Sequence, residues 1–98
     1  MPTSSRAERL GLAISVRYRK AGDQEWLLSH IANISESGVL FGPTTLEPGA
    51  RVEVEFVSPV AIGSIGPGRL GCVGQIVRTT ETGVVGVRFQ QCRFLLDV

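Results

Sequence analysis

Two short stretches carry residue types suited to gripping an anionic, planar ligand. Residues 5–9 read Ser-Arg-Ala-Glu-Arg, so Arg6 and Arg9 form a basic arm directly ahead of the first run of alternating apolar residues. A guanidinium presents a planar fork of donors that fits phosphate oxygens, or the O6/N7 edge of guanine, through paired hydrogen bonds. A lysine ammonium offers no such fork. Residues 33–38 read Asn-Ile-Ser-Glu-Ser-Gly. Asn33 and Ser35 alternate with Ile34, which sends both polar side chains outward while Ile34 turns to the core. Gly38 ends the stretch, where positive φ and a bare backbone would let a ligand approach closely. Taken alone, the same six residues read equally as an Asx or Ser/Thr turn closing a strand.

The remaining chemistry points away from catalysis. The chain has one histidine, His30, with no serine or cysteine beside it in an activating pattern, so a nucleophile and its base are hard to assemble. His30 reads as a packed or surface residue of a strand. Glu53 and Glu55 share a strand face next to Arg51, the pattern of a solvated charged face rather than a tuned acid–base pair. Cys72 and Cys92 with a single histidine cannot complete a four-ligand metal site. They are expected as two free thiols, a disulfide requiring that their strands be neighbours. Arg78 and Arg88 read first as strand-surface charges that would extend an anion site if they lay beside it. Trp26 reads as a barrel plug ahead of a stacking platform.

These residues must be positioned by a small all-β framework. The 98 residues suit one domain, and 43% apolar with 19% charged residues suits a folded core rather than disorder. A net charge of +1 excludes the strong field of a protein that binds long nucleic acid indiscriminately. No apolar run approaches the roughly 20 residues needed to span a bilayer, and residues 1–9 lack the apolar centre of a signal peptide. A cytoplasmic protein without membrane insertion is expected.

Period-two alternation predicts strands over residues 12–18, 26–34, 39–41, 51–57, 70–79 and 84–89, with an irregular loop over 58–68. Residues 52, 54 and 56 against 51, 53 and 55 give the cleanest alternation. Six short strands without helical periodicity predict an antiparallel barrel, because closure removes exposed edges. The expected layout is a single domain over 1–98: a flexible arm (1–10), the barrel (11–89) and a tail (90–98) that either begins a short helix or frays. Twelve glycines fit turns and the tight bends of a small barrel.

The two stretches together resemble the PilZ domain, a bacterial receptor module for cyclic di-GMP built on a six-stranded barrel. Its signatures are R-x-x-x-R in an N-terminal arm and [D/N]-x-S-x-x-G on the barrel. Asn33, Ser35 and Gly38 match the second at every required position. Softer likeness runs through residues 46–49 (Leu-Glu-Pro-Gly), 74–78 (Gly-Gln-Ile-Val-Arg) and 86–89 (Gly-Val-Arg-Phe). The first signature departs from the family: two residues separate Arg6 from Arg9 instead of three, and one of them is Glu8.

The resemblance implies a non-enzymatic receptor whose ligand is cyclic di-GMP, with no other cofactor. Arg6 and Arg9 would clamp phosphate and guanine edges, Asn33 and Ser35 would hydrogen-bond a guanine and its phosphate, and Gly38 would admit the ligand. The arm would order on the nucleotide and present a changed surface to a protein partner. Two alternatives come from other classes: a PilZ-like interaction adaptor that no longer binds the nucleotide, and a small barrel that binds single-stranded nucleic acid. An aromatic content of 6% speaks against the latter, which relies on stacking platforms.

Overall fold

The computed structural model describes residues 14–61, 63 and 66–95. Six strands follow in order: β1 (Ile14–Lys20), β2 (Leu27–Ile34), β3 (Gly38–Gly42), β4 (Arg51–Ser58), β5 (Gly68–Thr79) and β6 (Val85–Phe94). They close into an antiparallel barrel in the order β1-β2-β3-β6-β5-β4, with β4 returning to β1. Every strand therefore has two neighbours, and no ladder edge is left open.

Alternation places the core. Val16 and Tyr18 from β1, Val52, Val54 and Phe56 from β4, and Leu70 and Ile76 from β5 are buried inside the barrel. Phe41 of β3 is fully buried, its ring centroid 4.9 Å from that of Tyr18. The two buried serines among the described residues are satisfied: Ser29 Oγ donates to the Pro43 carbonyl at 3.0 Å and Ser58 Oγ to the Val60 carbonyl at 2.6 Å. An unpaired hydroxyl at either place would carry the desolvation cost of a buried polar group.

Bulges break the alternation at three points, and each reverses the facing of the strand residues beyond it. On β2, Ile31 pairs with Phe41 and Asn33 with Leu40, leaving Ala32 as the extra residue. Ser29 and Ile31 point inward, so strict alternation would carry Asn33 inward too; the bulge turns it out and brings Ile34 toward the core. On β5, Ile76 pairs with Val87 and Arg78 with Gly86, leaving Val77 extra. Leu70, Cys72, Gly74 and Ile76 are buried, and the bulge spares Arg78 the same fate. On β6, Phe89 pairs with Gly74 and Gln91 with Val73, so the extra residue is Gln90.

That third bulge corrects the expectation for the cysteines. It shifts the phase of β6 so that Cys92 faces Cys72 across the β5–β6 ladder, and the two form a disulfide with Cα atoms 4.1 Å apart. The pair is not two free thiols. Their strands are neighbours, which is the condition a disulfide required.

Two further expectations change. Trp26 is not a barrel plug: it precedes β2 on the outside, half-buried, with the guanidinium carbons of Arg17 and Arg19 at 4.4 and 4.3 Å from its ring centroid. The barrel does not end at residue 89. β6 continues to Phe94, held against β5 by pairs as far as Leu70 with Phe94, so residues 90–94 are strand and not helix.

Candidate functional site

Residues 33–38 sit where β2 turns into β3. The turn is closed by Ser35 N–H donating to the Gly38 carbonyl at 2.9 Å, and Ser35 Oγ accepts from the Ser37 amide at 3.4 Å, a Ser/Thr turn. Asn33 Oδ1 accepts from the Ile34 amide at 2.9 Å. These bonds hold the backbone while Asn33 and Ser35 remain exposed, with the Asn33 amide NH2 group directed at no protein acceptor among the described residues. The Phe89 amide donates to the Ser37 carbonyl at 2.8 Å, which ties the turn to β6.

Beside the turn lies an open groove of about 420 Å³. Asn33, Ser35 and Gly38 form one side of it; Arg78 of β5, with Gly86 and Arg88 of β6, form the other. The groove thus spans three sheet neighbours, β3, β6 and β5, and depends on barrel closure to bring residues 33–38 within reach of 78–88. No carboxylate lines it among the described residues. Glu36, the acid within the turn, instead leans against Gly63 of the long loop.

Gly38 has a different reason to be glycine from the one expected. Its φ is not positive. It pairs with Arg88, and a Cβ at this position would collide with the Val87 carbonyl of β6. Bare backbone is needed for β3 and β6 to meet at the base of the turn. Arg6 and Arg9, the other predicted contacts, lie outside the described residues.

On the β1–β4 face, by contrast, the charged side chains are engaged with one another. Arg17 of β1 donates to Glu55 of β4 at 2.8 Å, Arg19 to Glu53 at 3.0 Å, and Arg69 stands 3.6 Å from Glu55. The two glutamates are therefore neutralised across the β1–β4 ladder, as the register of Arg17 with Glu55 and Arg19 with Glu53 requires. Such a face adds modest stability. Among the described residues there is also no group of metal-ligating side chains.

The site therefore joins an Asn-x-Ser-x-x-Gly turn to the arginine-bearing β5–β6 wall of a closed six-stranded barrel. The family model for the PilZ domain matches residues 4–94, nearly the whole chain. The chain belongs to the PilZ family. PilZ domains are binding modules of the cyclic di-GMP receptor family, and the closed six-stranded barrel of this PilZ domain is the one expected from its sequence. Comparison with curated proteins and with solved structures gave no match. Residue types alone place Arg78 and Arg88 among the surface charges; the bulge at Val77, which turns Arg78 outward beside the motif, is not visible in them.

Proposed function

We propose that this PilZ domain is a receptor for cyclic di-GMP and that the groove beside residues 33–38 is where the nucleotide sits. The observation that carries this reading is the exposure of Asn33 and Ser35 on a groove of about 420 Å³ with no acidic lining among the described residues, in a chain of this family. Asn33 offers an amide donor to a guanine edge, and the Ser35 hydroxyl and nearby backbone serve a phosphate oxygen. Arg6 and Arg9 clamp the phosphate and guanine edges from the arm. The arm wraps the nucleotide on binding, and a protein partner reads the altered surface.

The reading places the domain in the cytoplasm as a signalling receptor rather than an enzyme. The Cys72–Cys92 bond runs against this, since such bonds are commoner in oxidising compartments. Among the described residues no helix is long and apolar enough to cross a membrane.

Calorimetric titration with cyclic di-GMP tests the reading. Micromolar or tighter binding is expected, weakened by about 1–3 kcal/mol in Asn33→Ala and in Arg9→Ala, the scale of a charge-assisted or desolvated hydrogen bond. Flat heats at high ligand concentration would move the domain to the adaptor class, for which the outward Leu28, 79% exposed, is the kind of contact residue available. A single-stranded nucleic acid platform is disfavoured by Trp26, whose ring is occupied by Arg17 and Arg19.

A further inference from the structure

We infer that Arg78 and Arg88 form a second anion-binding wall of the groove, taking phosphodiester oxygens from the side opposite Asn33 and Ser35. For the identity of the natural ligand this rests on the receptor reading above; the anion chemistry of the wall stands separately.

Three observations converge on it. The first is the bulge at Val77. An arginine in phase with buried Leu70, Cys72, Gly74 and Ile76 would enter the core; the extra residue delivers it to the outer face instead, into the groove. The second is Gly86, directly opposite Arg78 in the ladder. A Cβ at Gly86 would stand 3.1 Å from both Cγ and Nε of Arg78, closer than ordinary contact, so the missing side chain is the seat on which the arginine stem lies flat across β6. The third is the fixing of Arg88 beside the motif. It pairs with Gly38, and the next residue, Phe89, donates its amide to Ser37.

The spacing suits one ligand. Arg88 lies two residues along β6 from the seat of Arg78, one strand over, so strand dimensions put the two Cα atoms roughly 8 Å apart. Two arginine side chains reach common ground across that distance. Neither makes an ion pair among the described residues, in contrast to Arg17, Arg19 and Arg69. Lys20, Arg51 and Arg93 also lack such a pair but do not line the groove. Among the described residues Arg78 and Arg88 are thus positive charges without an ion-pair partner, facing the same space as two neutral hydrogen-bonding side chains. An anion entering there gains two planar forks of donors without displacing a carboxylate.

The test monitors the arginine side-chain Nε–Hε signals of isotopically labelled protein, titrated separately with cyclic di-GMP and with inorganic pyrophosphate. Calorimetry of Arg78→Gln, Arg88→Gln and Asn33→Ala runs alongside, and the Gln variants assign the two signals by their loss. Both anions are expected to shift the Arg78 and Arg88 signals, and each Gln variant is expected to bind cyclic di-GMP on the order of tenfold more weakly. If cyclic di-GMP binds and Asn33→Ala weakens it while both Gln variants bind as the parent does, the receptor reading stands and the second wall is overturned. If cyclic di-GMP gives no heat but pyrophosphate shifts both signals, the receptor reading falls and the wall stands. If neither anion moves the two signals, the wall is overturned.

Discussion

Arg78 and Gly86 fit together as stem and seat: they face each other across the β5–β6 ladder, and a methyl group on Gly86 would crowd the Arg78 Cγ and Nε at 3.1 Å. The glycine is not in a left-handed conformation, so its value lies in space rather than in backbone freedom. Gly86→Ala should therefore leave the fold nearly intact, because the atoms met belong to the flexible side chain of Arg78 and to Leu40. We expect a stability change within about 0.5 kcal/mol by urea denaturation, together with weaker cyclic di-GMP binding. In Arg78→Gln the same glycine substitution should add almost nothing to the loss of affinity, because both changes act on one group.

Gly38→Ala should behave in the opposite way. Its Cβ meets the Val87 backbone carbonyl, which cannot swing aside without opening the β3–β6 ladder at the base of the motif. A loss above about 1 kcal/mol is expected in urea denaturation. A parent-like midpoint would show that β3 and β6 can separate there at little cost.

Two aromatic residues make a contrast of inside and outside. Phe41→Ala removes a fully buried ring and should cost about 3–5 kcal/mol. Trp26→Ala removes a half-buried ring that stacks with Arg17 and Arg19 on the barrel exterior, and should cost only about 1–2 kcal/mol. Thermal or urea denaturation of the two variants checks the ranking; equal losses would return Trp26 to the core.

The Cys72–Cys92 bond closes a loop of sequence separation 20. On the loop-entropy model that restrains the unfolded chain by about 3 kcal/mol. Urea midpoints with and without a thiol reductant should differ accordingly, and Cys92→Ser should remove the reductant's effect.

How far the sequence could be read depended on phase. In β1 and β4 the alternation runs without interruption, so Val16, Tyr18, Val52, Val54 and Phe56 were readable as one inner face. In β2, β5 and β6 a single extra residue resets the phase, and nothing in the residue types of Ala32, Val77 or Gln90 announces it. The signal that was present is indirect. Asn33 follows Ser29 and Ile31 on the inward phase, and Arg78 follows Leu70, Cys72, Gly74 and Ile76; a polar residue arriving where burial is due is the mark of a bulge. The disulfide needed both strand neighbourhood and the Gln90 bulge, neither of which a list of cysteine positions contains. The Asn33–Ser35–Gly38 motif was legible because it is local, whereas its facing wall of Arg78, Gly86 and Arg88 comes from barrel closure, 40 or more residues away along the chain.

On the receptor reading, one groove, between residues 33–38 and the β5–β6 wall, takes cyclic di-GMP. A map of backbone amide shifts on addition of the nucleotide tests it most directly. Perturbations are expected to concentrate at Asn33, Ser35, Gly38, Arg78, Gly86 and Arg88, with the amides of Arg17, Arg19, Glu53 and Glu55 on the opposite ladder nearly unmoved. Perturbations centred on that opposite ladder, or no perturbation at saturating nucleotide, would contradict it.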